Sequence, residues 1–119
     1  MSKARIQIRP RLRVIVGENI ALGPGKVQLL GLLQETGSIT KAAREMKMSY
    51  MRAWTLIRTM NRCFKAPVVL AKHGGAHGGG GAQLTDAGRQ VLELYQKMDA
   101  KCLRSISPMR RQLEKLLGG

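Results

Sequence analysis

Two adjacent segments of the chain repeat their apolar residues at helical spacing. The first runs from Ser38 to about Met46 and the second from Ser49 to about Phe64, and both follow the spacing i, i+3, i+4 and i+7. Ser38 and Ser49 stand where an N-cap is needed, because a serine hydroxyl accepts from backbone N–H groups that have no partner in the first turn. The pattern predicts a short helix and a longer helix joined by a tight turn.

The second helix leaves a basic face outside its apolar stripe. Its outward residues are Met51, Arg52, Thr55, Arg58, Thr59 and Arg62, with three guanidinium groups and no carboxylate. That composition is typical of the recognition helix of a helix-turn-helix, which enters the major groove of DNA. An ordinary amphipathic hairpin with a solvated basic face has the same pattern, so the rest of the chain has to decide between the two.

The residues before this helix pair predict a β-hairpin and a further helix. Apolar and polar residues nearly alternate over 11–16, and a turn then allows a short return strand, which gives a hairpin over 11–22. Apolar residues next recur at helical spacing over 26–36, and Gly37 supplies a C-terminal stop. This helix is expected to complete a three-helix core over residues 24–64.

A glycine-rich hairpin is predicted over residues 66–84, directly after the recognition helix. Two short apolar runs flank a tip rich in glycine that also contains His73 and His77. A hairpin in this position is typical of the wing of a winged helix, where glycine lets the backbone approach a phosphate or the minor groove. A P-loop would need Lys-Ser or Lys-Thr after the glycines, and two histidines without a third ligand do not predict a metal site.

The last part of the chain predicts a long helix over residues 85–117, with Thr85 as its cap and a second short segment after Pro108. A heptad-like seam, spaced 4, 3 and 4, is formed by Val91, Tyr95, Met98 and Cys102. There are more apolar positions than one small domain needs, which favours a homodimer through the C-terminal helices. The alternative is a helix that packs entirely on its own domain.

Together these segments predict one α+β domain, mainly α, over residues 1–119. It is a winged helix-turn-helix with an N-terminal β-hairpin and a long C-terminal helix. Its parts are the hairpin at 11–22, the three-helix core at 24–64, the wing at 66–84 and the dimerisation helix at 85–117.

The charge of the chain favours a polyanionic partner. Lys and Arg number 21 against 7 Asp and Glu, a net charge of +14. Residues 1–77 hold 14 basic and 3 acidic side chains, whereas 78–119 hold 7 and 4, so the excess accompanies the helix pair. DNA, RNA and an acidic membrane surface are all negatively charged and would all be attracted by such a positive field.

Several other classes of protein do not fit this composition. No run approaches the roughly 20 apolar residues of a membrane span, and the N-terminus lacks the apolar region of a signal peptide, so a cytoplasmic protein is expected. Cys63 and Cys102 lie far apart and are expected to be reduced thiols. The few acidic residues are scattered and no nucleophile–base arrangement is visible, so no catalytic residue, metal ligand or cofactor is expected.

Three stretches, TGSITKAA, SYMRAW and GGGGAQLT, carry a resemblance to a known family. They resemble the N-terminal winged-helix domain of the molybdate-responsive ModE-type repressors, which is related to the DNA-binding domain of LysR-type regulators. The similarity covers about Arg11 to Tyr95. It implies a dimer that binds an operator in double-stranded DNA and represses genes of molybdenum uptake or use. Full-length members carry C-terminal molybdate-binding domains, and since this chain ends at Gly119, direct molybdate binding is not expected.

The predicted DNA contacts combine this resemblance with the residue pattern. The motif match assigns base contacts to Ser49, Met51, Arg52 and Thr55, and the wing to Lys72 through Gly81. Arg52 is the candidate for bidentate recognition of a guanine. The full predicted set is Ser38, Thr40, Lys41, Arg44, Ser49, Met51, Arg52, Thr55, Arg58, Arg62, Lys72, Gly78 and Gly79. A sequence-independent nucleic-acid-binding protein, supported by the arginine-rich arm near the N-terminus, and an adaptor for a protein partner remain alternatives.

Overall fold

Three helices form the centre of the fold, and two hairpins and a C-terminal helix pair are arranged around them. The computed structural model describes residues 4–72 and 81–118. In chain order the elements are β1 (Val14–Val16), β2 (Asn19–Leu22), α1 (Pro24–Thr36), α2 (Ile39–Glu45), α3 (Tyr50–Cys63), β3 (Val69–Ala71), β4 (Ala82–Leu84), α4 (Asp86–Ser105) and α5 (Ser107–Glu114). The predicted fold class, a mainly α winged helix-turn-helix, is confirmed.

The core lies where the apolar stripes of α1, α2 and α3 meet. Its most buried helical residues are Leu29, Leu30, Leu33, Ile39, Ala42, Ala43, Ala53, Trp54, Ile57 and Met60. Small side chains at Ala42, Ala43 and Ala53 let the backbones of α2 and α3 approach closely at their crossing. The three predicted helices are confirmed, although α1 begins at Pro24 because proline is favourable in the first turn of a helix.

The N-terminal hairpin is shorter than the alternating pattern predicts. β1 pairs antiparallel with β2 through Val14↔Leu22, Ile15↔Ile20 and Val16↔Asn19, with an irregularity after Val14. Residues 4–13, called the N-terminal arm below, precede this ladder and belong to no strand. The reason is that β2 ends where α1 begins, which leaves no chain opposite the arm to pair with.

The structure describes the base of the predicted wing, which is a two-stranded hairpin. β3 and β4 pair antiparallel through Val69↔Leu84, Leu70↔Gln83 and Ala71↔Ala82. The predicted wing contacts at Gly78 and Gly79 lie outside the described residues, as do His73 and His77.

The C-terminal segment is two helices rather than one. α4 ends at Ser105 and α5 begins at Ser107, with Pro108 in the first turn of α5. Proline lacks an N–H and clashes with the preceding turn, so a continuous helix cannot pass through it. Among the helices that the structure describes, no segment is both long enough and apolar enough to cross a bilayer.

The four residues of the predicted dimerisation seam are not all exposed on one face of α4. Tyr95 is buried in its own domain, where its hydroxyl donates to the carbonyl oxygen of Leu12 in the N-terminal arm at 2.8 Å. Val91 also packs against the core, Cys102 is half-buried, and Met98 is exposed. Tyr95 is therefore corrected from a contact with a second copy to a contact within the chain, because the arm covers this side of α4.

Candidate nucleic-acid interface

Helix α3 presents polar residues, three of them arginines, to solvent. Ser49 caps the helix, since its Oγ accepts from the backbone N–H of Arg52 at 3.1 Å. Four side chains are buried on the opposite face of α3: Ala53, Trp54, Ile57 and Met60. The exposed residues are Met51, Arg52, Thr55, Arg58 and Arg62, whereas Thr59 is half-buried. No acidic residue occurs between Tyr50 and Cys63, so every charged side chain on this face is cationic.

The turn between α2 and α3 depends on a left-handed residue. Lys47 has φ of 56°, and its N–H donates to the carbonyl of Arg44 at 3.1 Å. The next N–H, that of Met48, donates to the carbonyl of Ala43 at 3.0 Å. These two bonds satisfy carbonyl groups at the end of α2 and turn the chain into α3.

Helix α2 adds a second basic strip beside α3. Lys41 and Arg44 are exposed and Thr40 is half-buried, and the helical spacing of the three residues sets them on one face. Ser38 is half-buried, and its Oγ accepts from the N–H of Lys41 at 3.1 Å. This oxygen therefore serves the helix as its cap, which leaves the side chains of Thr40, Lys41 and Arg44 as the contacts available to a ligand.

The side chain of Asn61 joins the base of the wing to α3. Oδ1 of Asn61 accepts from the N–H groups of Val68 at 2.8 Å and Val69 at 3.1 Å, and Nδ2 donates to the carbonyl of Val69 at 3.0 Å. The last turn of α3 is thus fixed to the first residues of the wing. This amide is one of the contacts that fix the wing relative to α3.

The wing is attached to α2 through its other strand. The N–H of Ala82 donates to the carbonyl of Gly37 at 3.1 Å, and Gly81 forms a β-bridge with Ser38. The exposed Lys72 lies opposite Gly81, whose carbonyl accepts from the N–H of Lys72 at 2.9 Å. The base of the wing, the start of α2 and α3 therefore form one continuous surface.

The charges on this surface are available to a ligand. Both ion pairs of the described residues lie on α4, between Arg89 and Asp86 and between Lys97 and Glu93. The hydrogen bond and charge of Lys97 lower the pKa of Glu93. In the parts of the chain that the structure describes, the basic side chains of α2, α3 and Lys72 form no ion pair, so their field is directed at solvent.

Comparison with known proteins identifies the family. Residues 26–89 match the bacterial regulatory helix-turn-helix proteins of the lysR family. This chain belongs to that family. The matched region runs from α1 through the helix pair and the wing into the start of α4, and so contains the whole surface described above.

The relatives of this lysR-type domain include ModE proteins. The molybdenum transport protein ModE of Azotobacter vinelandii is 34% identical over 119 residues, which is 100% of this chain and 43% of the relative. The molybdenum-pterin-binding protein MopB of Rhodobacter capsulatus is 40% identical over 92 residues, 77% of this chain and 34% of the relative. The DNA-binding transcriptional dual regulator ModE of Escherichia coli K12 is 35% identical over 72 residues, 60% of this chain and 27% of the relative.

These matches confirm the predicted resemblance to ModE-type regulators. The chain spans less than half the length of the three relatives. Family and relatives together identify the DNA-binding domain of a transcriptional regulator and not an enzyme. In the described part of the chain, no group of three or more His, Cys, Asp or Glu side chains is arranged to hold a metal ion.

The structure of the lysR-type domain also contains residues that sequence reasoning missed. Asn61 is one, and Gly88 is another, because a Cβ at Gly88 would overlap the carbonyl oxygen of Val68. Thr85 caps α4 as predicted, since its Oγ1 accepts from the N–H of Gly88 at 2.9 Å, but the same hydroxyl also donates to the carbonyl of Pro67 at 2.6 Å. The start of α4 therefore contacts Pro67 and Val68, the residues that lead into the wing.

Proposed function

We propose that the chain is a sequence-specific transcriptional regulator that inserts α3 into the major groove of an operator as part of a homodimer. The observation that carries this proposal is the face of α3, with three exposed guanidinium groups, no carboxylate, and further basic residues on α2 and at the wing base. Such a surface neutralises phosphates on both sides of a groove while one helix contacts the base edges.

Residues at the start of α3 are the proposed base contacts. Arg52 is exposed in the first turn, where recognition helices contact bases, and a guanidinium matches guanine O6 and N7 with two hydrogen bonds. Arg58 and Arg62 lie farther along and are assigned to the DNA backbone. Lys41 and Arg44 on α2 are assigned to phosphates.

The proposed dimer uses exposed apolar residues of α4, of α5 and of the turn after α5. They are Leu94, Met98, Met109, Leu113, Leu116 and Leu117. Large exposed apolar side chains concentrated in one segment of the chain favour an interface with another protein. A symmetric dimer would recognise a palindrome whose half-sites lie about one DNA turn apart, roughly 34 Å.

The proposed biological role is repression connected with molybdenum uptake or use. It is supported by the names of relatives, among them a molybdenum transport protein ModE. Molybdate sensing is not assigned to these residues, so we expect added molybdate to leave the dissociation constant for DNA unchanged. The proposal implies a cytoplasmic location, because a bacterial chromosome lies there.

Selection of bound sites from a random pool of DNA duplexes tests the function. We expect a palindromic consensus, and we expect Arg52→Ala to lose about 1–3 kcal/mol of binding free energy on it and to relax the preference at one base pair of each half-site. Arg104→Ala is the matched control, because it removes an exposed arginine far from the proposed interface. Arg104 lies near the end of α4, about 27 Å along the helix axis from Asp86, where α4 begins beside the wing. Equal weakening by Arg52→Ala on all duplexes would contradict the base contact.

A second candidate function is sequence-independent nucleic-acid binding. The observation in its favour is the N-terminal arm, where Arg5, Arg9, Arg11 and Arg13 are all exposed. The ratio of affinities for the selected duplex and for a scrambled duplex of equal composition distinguishes the two functions. A ratio near one favours the second.

A further inference from the structure

The most outward part of α3 is apolar, although its surroundings are basic. Met51 is 58% exposed, and Thr55 is exposed one turn farther along. Residues four apart on a helix are surface neighbours, with Cβ atoms about 5–6 Å apart. At about 100° per residue, Thr55 stands opposite the direction in which Ile57 and Met60 are buried. Met51 and Thr55 therefore form an apolar pair on the side of α3 that faces directly away from the core.

The hydroxyl proton of Thr55 is already used within the helix. Its Oγ1 donates to the carbonyl oxygen of Met51 at 3.0 Å. Thr59 makes the same bond one turn later, to the carbonyl of Thr55 at 2.9 Å. With its single proton committed, the side chain of Thr55 offers a ligand its methyl group and acceptor lone pairs.

We propose that Met51 and the methyl group of Thr55 contact the 5-methyl group of a thymine in the major groove. Among the four bases only thymine carries a methyl group on that edge, and threonine methyl and other apolar groups are its usual protein contacts. The inference rests on the proposed insertion of α3 into the major groove and adds to it the identity of one base. It makes Met51 and Thr55 determinants of specificity for an A·T pair, beside the guanine contact assigned to Arg52.

Replacing thymine by uracil tests the inference, because uracil lacks only the methyl group. The probe is the duplex obtained by selection, with each thymine changed to deoxyuridine in turn. Burying a methyl group is worth a factor of about four in affinity, so we expect one position in each half-site to lose about that factor with the unchanged protein. A flat response at every position would overturn the inference while leaving the proposed function intact.

Two substitutions of Thr55 separate its methyl group from its hydroxyl. Thr55→Val keeps a methyl group and removes the hydroxyl, and we expect it to preserve the ratio of thymine to uracil affinity. Thr55→Ser keeps the hydroxyl and its bond to the helix and removes the methyl group, so the ratio should fall toward one. Met51→Gln, which replaces an apolar thioether by an amide of similar length, should lower the ratio in the same way.

Thr59→Val is the matched control for loss of a bond from a threonine hydroxyl to the helix backbone. Thr59 makes the same type of bond but is half-buried on the flank of α3, so the ratio should stay at the value of the unchanged protein. If Thr55→Ser keeps the full ratio and Thr55→Val abolishes it, the hydroxyl is the contact and the inference is wrong. If the protein shows no preference for the selected duplex, the proposed function and this inference both fail.

Discussion

At the scale of single residues, Gly88 has the strictest steric requirement of the described glycines. A Cβ at this position would overlap the carbonyl oxygen of Val68, whose own hydrogen bond from Thr85 holds it in place. We expect Gly88→Ala to cost about 1–3 kcal/mol of the free energy of unfolding, because the start of α4 must move away from the wing. Urea denaturation measures this cost.

Gly31→Ala is the control for that experiment. Gly31 lies inside α1, and a Cβ there would meet nothing within 4 Å. Alanine is the better helix former, so this substitution should stabilise the protein by up to about 1 kcal/mol. Equal effects of Gly88→Ala and Gly31→Ala would contradict the close approach of α4 to Val68.

The buried Tyr95 makes the free energy of unfolding fall at alkaline pH. Burial, and then the carboxylate of Asp99, raise the pKa of Tyr95, while the guanidinium of Arg11 lowers it. The folded state therefore holds the phenolic proton more tightly than the unfolded state. The stabilisation is present below the ordinary tyrosine pKa of about 10 and is lost as pH rises through the folded-state pKa.

Tyr95→Phe should reduce the free energy of unfolding by about 1 kcal/mol near neutral pH, because the carbonyl of Leu12 loses its donor. The variant should also lose less stability than the unchanged protein above about pH 10. Tyr50→Phe is the matched control, since the hydroxyl of Tyr50 is buried without a hydrogen-bond partner in the described residues. Denaturation curves at neutral and alkaline pH check both variants, and an unaltered alkaline loss in Tyr95→Phe would contradict the assignment.

At the scale of elements, Asn61 determines how the wing is held on the recognition helix. Asn61→Ala leaves the N–H groups of Val68 and Val69 without their acceptor, and we expect a loss of about 1–3 kcal/mol. Asn61→Asp keeps the acceptor and removes the donor to Val69, so its loss should be smaller. Amide hydrogen exchange at Val68 and Val69 should accelerate most in the alanine variant. Unchanged protection there would show that the strands of the wing hold themselves in place.

The elements that sequence analysis predicted are those whose signals are local. Ser38, Ser49 and Thr85 cap their helices as expected, because a cap depends only on the three residues that follow it. The left-handed Lys47 was missed although it is also local, because glycine is the usual residue there and lysine gives no signal.

The remaining features depend on contacts between distant segments. The partners of Asn61 and Gly88 lie in the wing, which no local pattern connects to the end of α3 or the start of α4. Heptad spacing around Tyr95 shows which side of α4 is apolar, but the same spacing fits a partner chain and the chain's own N-terminal arm equally well. The exposed face of α3 was predictable because its side chains need no partner inside the chain, and its DNA contacts stay a prediction.

At the scale of the whole molecule, the exposed apolar residues of α4 and α5 bear on the oligomeric state. Leu113 is 47% exposed on α5, a helix with no buried residue, and Leu116 is 83% exposed in the turn that follows it. We expect Leu113→Glu to convert the proposed dimer into a monomer, because a carboxylate would be desolvated in the interface. Sedimentation velocity measures the change.

Gln112→Glu is the matched control for the Leu113→Glu experiment. It adds the same charge at the neighbouring exposed position of α5, and we expect it to leave the sedimentation coefficient unchanged. A monomeric Leu113→Glu protein should still fold but should bind the palindrome no more tightly than a single half-site, since it loses the gain from linked half-sites. If the unchanged protein sediments as a monomer at all concentrations, the C-terminal helices have another role.

The outward face of α3 has a consequence for how such regulators diverge. The side chains of Met51, Arg52 and Arg58 point to solvent, and the hydrogen bond of Thr55 stays within its own helix. Under the proposed function, mutations on this face change the bases that are contacted and leave the core, the caps and the wing attachments unaltered. A duplicated gene can therefore acquire a new operator through a few changes on one helix face, without compensating mutations to restore folding.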